Sequence, residues 1–295
     1  MFLKNKIEPY IFISPFYILF LIFTLFPVFF SIFISFTNWR GSSKWKFVGM
    51  KNYNNLIIDD TFHLALFNNF WFSIASIFLV IPLSLMIAVI LNFRWLKLKT
   101  IWRTIYFLPV ATSTVVISLV FLALYDHRYG TINWLIMLFG FDKIDWLGDP
   151  LYVKPAIIGL IAWRWIGLIM IYFLAGLQNI PKEIYEAGLV DGANSIQSFF
   201  HITLPLLRPI LLFVTVIVTA DSFRIFDEPF IMNRFSTGLS GGPEDSGLSL
   251  ALYLYRIGFD YRQLGYGSTI GLVIFFISFF IVLLQLKKFR LFDED

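Results

Sequence analysis

The chain has 295 residues, of which 58% are apolar, 20% aromatic and only 14% charged, with a net charge of +4. Soluble domains run at about 45–50% apolar and about 25% charged, and 36 phenylalanines are too many for a soluble core of this size, so the excess apolar surface faces lipid. The absence of cysteine removes disulfides, thiolate metal sites and cysteine nucleophiles. The modest basic excess needs no nucleic-acid partner, because basic cytoplasmic loops account for it.

A membrane span needs about 20 mostly apolar residues, and six segments meet or approach that length. Residues 10–36 carry no charge, and residues 64–93 lie between His63 and Arg94. Residues 105–125 lie between Arg103 and Asp126, and residues 155–177 are interrupted once, by Arg164. Residues 209–230 hold Asp221, Arg224, Asp227 and Glu228 in their second half, and residues 265–286 lie between Arg262 and Lys287. Barrel strands would alternate polar and apolar over about 10 residues, so these runs read as helices. The expected fold is an all-α integral membrane protein with six transmembrane helices, forming one domain over residues 1–295.

Lys4 and Lys6 precede the first apolar run as a signal peptide's basic region would. That run far exceeds the about 7–15 residues of a signal core and no small-x-small cleavage site follows it, so a retained first helix is expected. With both termini inside, the cytoplasmic pieces 1–9, 94–104, 178–208 and 287–295 carry eleven Lys and Arg, and the longer external loops carry ten. The Arg94, Lys97, Lys99, Arg103 cluster weighs most in that orientation. The external Asp142, Asp145, Asp149 run reads as a solvated loop, and residues 238–247 as a turn-rich external loop where a binding protein could dock.

The segment 178–208 is polar and detailed, unlike a simple connector. Pro181 suits a first helical turn, where its missing N–H is no loss. Glu183 and Glu186 fall near the positive end of that helix's dipole. Ile184, Ala187 and Gly188 share one narrow face with small residues in its middle. Gly192 follows where a left-handed C-terminal turn is wanted. Asn194 or Ser195 can cap a second short helix that reaches His201 and stops before Pro205. The product is a surface helix–turn–helix with a small-residue notch, suited to a cleft on a partner.

This segment resembles the EAA signature of the membrane subunits of binding-protein-dependent ABC importers, at Glu186, Ala187, Gly188, Gly192, Ile202, Leu204 and Pro205. The departure is Gly188 in place of the second Ala. Further stretches look like the carbohydrate-uptake branch, the maltose-transporter-type permeases. Among them are Phe36-Thr37-Asn38-Trp39, Phe107-Leu108-Pro109, Trp146-Leu147-Gly148, Trp163-Arg164-Trp165 and Gly241-Gly242-Pro243, the last preceded by what looks like a small insertion at residues 235–240. The resemblance covers nearly the whole chain.

It implies that two permeases pair around a pathway, by the branch resemblance as a heterodimer. A cytoplasmic ABC ATPase dimer receives the EAA segments, and an extracytoplasmic sugar-binding protein delivers the sugar. Glu186, Ala187, Gly188, Asp191 and Gly192 would then couple to the ATPase. This chain would be no enzyme and hold no cofactor, since ATP is bound by the partner; no GxxxxGK[ST] loop occurs in it. The setting implied is a bacterial-type plasma (inner) membrane.

Ionisable residues inside spans are costly and usually face protein or a water-filled cavity. Arg164, read near the outer end of the fourth span, sits between Trp163 and Trp165; it suits either a sugar platform or an interfacial belt with a snorkelling arginine. Asp221, Ser222, Arg224, Ile225 and Glu228 would lie along one side of a fifth helix. They form either a self-neutralising set, with Arg224 paired to Asp221 or Glu228, or part of the sugar path, which the maltose-type resemblance favours. Arg164, Trp165, Asp221, Ser222, Arg224 and Asp227 are therefore the candidate substrate-pathway residues. Three histidines without a pairing pattern (His63, His127, His201) make no metal site. A stand-alone secondary transporter of a small polar solute is the alternative; it would show internal repeats and helices broken at midplane, and it leaves the 178–208 segment unexplained. A membrane enzyme built on the fifth-span carboxylates lacks a nucleophile or metal set.

Overall fold

The computed structural model describes residues 4–42, 44–93 and 95–290. Residues 1–3, Ser43, Arg94 and residues 291–295 lie outside the described residues, and of these Arg94 belongs to the basic cluster that weighs most in the expected orientation. Among the described residues the secondary structure is helical, with one isolated antiparallel bridge between Thr37 and Phe47. Four helical runs are long and apolar enough to cross a membrane: Tyr10–Ser35, Asp60–Asn92, Pro150–Asn179 and Leu264–Lys288. Two bent pairs, Lys99–Ala111 with Thr114–Leu124 and Ser195–Leu206 with Arg208–Ser222, raise the number to six if each is one span.

The helices form two compact units, residues 1–60 with 254–276 and residues 61–253 with 277–295. In the first, Asn52 holds the end of the first span, its amide donating to the carbonyls of Ser35 at 2.7 Å and Thr37 at 2.9 Å. The Thr269 hydroxyl reaches the same Ser35 carbonyl at 3.1 Å. In the second, Pro150–Asn179 is the central post, and more than half of its apolar window is buried. Phe173, Met170 and Ile169 pack with Val80, Ala88, Leu207 and Val214 around one half of it. Phe72, Ile157, Leu160 and Met232 pack around the other. The faces left exposed on the first and last spans, such as Phe12, Phe23 and Leu284, carry the phenylalanine excess that lipid must cover.

Two prolines sit inside helices by the same device. Pro27 follows a π turn at Leu21–Leu25 in which Phe26 N–H donates to Leu21 O. Pro205 follows a π turn at Phe199–Thr203 in which Leu204 N–H donates to Phe199 O. Widening the turn before each ring relieves the clash and the lost hydrogen bond that proline imposes on a regular helix. The second helix of the 178–208 segment therefore does not stop before Pro205, as expected, but runs on to Leu206.

Two expected spans are not continuous helices. The 105–125 run bends by 98° between Ala111 and Thr114, where Thr112 and Ser113 are extended. The Thr112 hydroxyl bonds back to Leu108 O at 3.0 Å, the local competition with helix that Ser and Thr offer. The 209–230 run ends as helix at Ser222 and resumes at Asp227. Phe226, at φ −137° and ψ −57°, turns the chain between the two pieces.

Candidate functional site

The break at residues 223–226 frees backbone groups that a membrane interior cannot solvate, and side chains from elsewhere take them up. The Asn69 amide donates to Ser222 O at 2.8 Å, while its carbonyl oxygen accepts Leu250 N–H at 2.7 Å. The Ser249 hydroxyl donates to Ile225 O at 2.6 Å. Asn68 donates to the Asp245 and Leu248 carbonyls, both at 3.0 Å. Two adjacent asparagines on the Asp60–Asn92 helix thus hold the break and the chain after it.

Beside the break lies a cavity of ≈ 280 Å³ whose walls include Arg164, Trp165, Asp221, Ser222, Arg224 and Asp227. The structure brings all six candidate pathway residues to one space, and adds Ser76, Thr114 and Glu228 to the lining. Arg164 lies at the middle of the observed Pro150–Asn179 helix, not near its outer end. The helix begins five residues earlier than the apolar run suggested, Asp149 accepting Leu151 N–H as its N-cap at 2.9 Å.

Arg164 Nη1 donates to Glu228 Oε1 at 3.1 Å, and its guanidinium lies 5.3 Å from the Trp165 ring centre. The intrahelical pairing of Arg224 with Asp221 or Glu228 does not form, and Glu228 is taken by Arg164 instead. The turn at residues 223–226 is what separates them, carrying Arg224 and Asp227 to exposed positions while Glu228 is buried. Ser222 lines the cavity, but its hydroxyl hydrogen is committed to Val218 O at 2.6 Å. The hydrogen-bonding groups left at the cavity include those of Arg224, Asp221 and Asp227, together with the unpartnered Ser76 Oγ and Arg164 Nε. Alternating donors and acceptors beside the Trp165 ring can engage a polyhydroxylated ring by hydrogen bonds and stacking.

The 178–208 segment folds as two short helices. Lys182–Val190 ends in a Schellman motif, in which Ala193 N–H donates to Gly188 O at 2.9 Å and Gly192 N–H to Leu189 O at 3.1 Å. Gly192 takes φ +80°, a left-handed conformation that glycine adopts without steric cost. Asn194 and Gln197 form a reciprocal capping box that starts the second helix. Tyr185 OH and Thr203 Oγ1, 2.9 Å apart, tie the two helices together. A Cβ at Gly188 would lie 2.7 Å from Ile202 Cδ1, so the glycine that departs from the EAA pattern is matched by the isoleucine of the same motif. Glu186, Ala187, Asp191 and Gly192 are exposed. So are the apolar side chains of Leu189 and Val190, the latter at 88%.

Glu228 as the partner of Arg164, and Asn68 and Asn69 as supports, escape sequence reasoning, because their partners lie far along the chain. The signal that could have found the asparagines is an adjacent pair of amides in an otherwise apolar span.

Residues 80–289 match the family described as "Binding-protein-dependent transport system inner membrane component". The arabinooligosaccharides transport system permease protein AraP of Bacillus subtilis (strain 168) is 35% identical over 288 residues, covering 97% of this chain and 90% of that protein. The lactose transport system permease protein LacF of Rhizobium radiobacter is 35% identical over 271 residues, covering 91% and 89%. Among solved structures, a chain of a bacterial ABC transporter that imports the acidic polysaccharide alginate has the same fold, with a TM-score of 0.84 at 23% identity over 98% of this chain and 99% of that one. The chain belongs to the family of binding-protein-dependent transport system inner membrane components.

Proposed function

We propose that the chain is the permease subunit of an ATP-driven importer that moves a sugar or oligosaccharide into the cytoplasm by alternating access. The observation that carries this reading is the direct path from the surface segment to the cavity. The exposed Lys182–Val190 helix is tied to Ser195–Leu206, which joins Arg208–Ser222 through a 67° bend. Arg208–Ser222 itself supplies Ile217, Val218, Asp221 and Ser222 to the cavity wall. Movement of the segment by a partner therefore displaces the wall.

On this reading the chain crosses a bacterial inner membrane six times with both termini inside, as a single transmembrane domain over residues 1–295. Segment 178–208, between the fourth and fifth spans, enters a cytoplasmic ABC ATPase dimer through Glu186, Ala187, Gly188, Asp191 and Gly192. ATP is bound and hydrolysed there, so this chain is no enzyme and holds no cofactor. A second permease completes the pathway as a heterodimer, and an extracytoplasmic sugar-binding protein delivers the substrate past Arg164, Trp165, Asp221, Ser222, Arg224 and Asp227. The names of the relatives support the substrate class: arabinooligosaccharides for one and lactose for another. An alginate transporter structure in complex with its pentasaccharide-bound periplasmic protein supports the delivery step.

The bends at residues 112–113 and 223–226 are also features of stand-alone transporters, so the driving force has to be measured. The test is uptake of a labelled arabino-oligosaccharide into proteoliposomes holding the purified complex and its binding protein. Uptake that needs ATP inside and binding protein outside is expected. Uptake driven by a proton or sodium gradient without ATP would overturn the reading.

A further inference from the structure

Residues 126–149, which end in the Asp142, Asp145, Asp149 run expected as a solvated loop, contain an eight-residue helix, Thr131–Leu138, built inside out. Its buried residue is the polar Asn133, at 1% exposure, while Trp134, Leu135, Leu138, Phe139 and Phe141 are exposed, Phe139 at 79%. A solvated helix does the reverse, and an aligned run of exposed large apolar side chains marks a surface that something covers.

The arrangement is rigidly held. Asn133 uses its full hydrogen-bonding capacity: its amide donates to Ile144 O at 2.9 Å and His127 O at 3.3 Å, and its oxygen accepts Ile144 N–H and Trp146 Nε1–H, both at 3.1 Å. Before the helix, the Asp126 carboxylate accepts Tyr129 N–H at 2.7 Å and Arg128 N–H at 2.9 Å. Those bonds, that to Tyr129 first, hold its pKa below the usual carboxylate range. A methyl group at Gly130 would fall on backbone atoms of Leu124 and Asp126, so the chain turns tightly as the preceding helix ends.

We propose that residues 129–141 are an interfacial anchor, bedded by their apolar side chains in the bilayer surface, with Arg128 and Lys143 at the level of the lipid phosphates. Position argues for lipid as the occupant. The segment links Thr114–Leu124, whose Val115, Val116, Leu119 and Val120 are exposed, to the span that begins at Pro150. Both its ends are therefore fixed at the membrane boundary, and its apolar surface continues one that already faces acyl chains. Tyr129 and Trp134 are the residue types enriched at that boundary. The cationic side chains flanking the segment, both exposed, complement phosphate, and interfacial helices bury their apolar face about 5–10 Å into this layer.

The cysteine-free chain makes the test direct. Leu138→Cys, Phe139→Cys and, as a water-facing reference, Asp142→Cys are each spin-labelled in the full chain, purified with its native subunits and reconstituted in phosphatidylcholine–phosphatidylglycerol vesicles. Accessibility to oxygen and to a water-soluble nickel chelate is then read by power saturation. The expected result is a several-fold higher oxygen-to-nickel ratio at positions 138 and 139 than at 142. Nickel accessibility at 138 and 139 equal to that at 142 would overturn the proposal in favour of a solvated loop. Exclusion of both reagents would overturn it in favour of a protein partner. These residues are exposed, so labelling should leave the fold intact, and elution as a single species checks this. The readout does not depend on what is transported.

Discussion

Arg164 and Glu228 meet at 3.1 Å across 64 residues of sequence, joining the central post of the second unit to the helix that follows the broken span. Both are largely buried, and removing one member of such a pair leaves the other charge without compensation, a loss of about 3–5 kcal/mol. Arg164→Met and Glu228→Gln should each lower the thermal midpoint of the purified chain. The double variant should lose much less than the sum, because neither charge is then stranded. A double-mutant cycle on thermal midpoints in one detergent measures this, and strict additivity would mean that the pair does not act as a unit.

Asn69 satisfies the Ser222 carbonyl at the break and the Leu250 N–H that opens the later Leu250–Tyr255 helix. Replacing it by leucine keeps the bulk and strands both, at about 1–3 kcal/mol for each buried group. Asn69→Leu should accelerate amide exchange at Leu250 and lower the thermal midpoint, whereas Phe67→Leu, an exposed position two residues away, should do neither. Unchanged exchange at Leu250 would show that the hydrogen bond is not what orders this region.

At the Schellman turn, Gly192→Val forces a β-branched residue into the left-handed region, where the conformation costs L-residues about 1–2 kcal/mol. It should uncouple ATP hydrolysis from uptake while leaving the membrane part intact, and Gly192→Asn should retain most coupling. At Gly188 the outcome turns on the Ile202 methyl group 2.7 Å from the added carbon. Because that atom ends a flexible side chain, Gly188→Ala should cost little. Gly188→Leu should abolish coupling. The ratio of sugar moved to phosphate released reads both.

Arg224 is exposed at the cavity and stands clear of the Arg164–Glu228 pair. Arg224→Ala should reduce uptake about tenfold or more, the loss of one charge-assisted hydrogen bond of about 1.5–3 kcal/mol, without changing how much complex assembles. Unchanged uptake kinetics in assembled complex would remove Arg224 from the path.

The four unbroken apolar runs, the left-handed turn at Gly192 and the cap at Asn194 are legible in the sequence to within a few residues, because they rest on local composition and local hydrogen bonding. The breaks are not. Apolar character continues through Thr112 and through Phe223 and Phe226, so hydropathy carries a helix across both, while the groups that stabilise the second break come from Asn69 and Ser249. Six pathway candidates converge on one cavity because charge inside a span is itself informative. The pairing of Glu228 is illegible for the same reason as the break: the sequence places Glu228 along a continuous helix, and the turn swings it to Arg164. Pro205 departs from expectation in the other direction, since a π turn lets it stay within its helix.

The measurement that tests the central claim most directly is affinity purification of the tagged chain from mildly solubilised native membranes, wild type beside Leu189→Asp. Leu189 is exposed on the Lys182–Val190 helix, and a charge there should spoil a docking surface without touching the fold. The account predicts that the wild-type chain brings down an ABC ATPase in stoichiometric amount together with a second permease. The variant should keep the permease and lose the ATPase. Recovery of the chain alone across several mild detergents, or an ATPase retained in full by the variant, would contradict coupling through this segment.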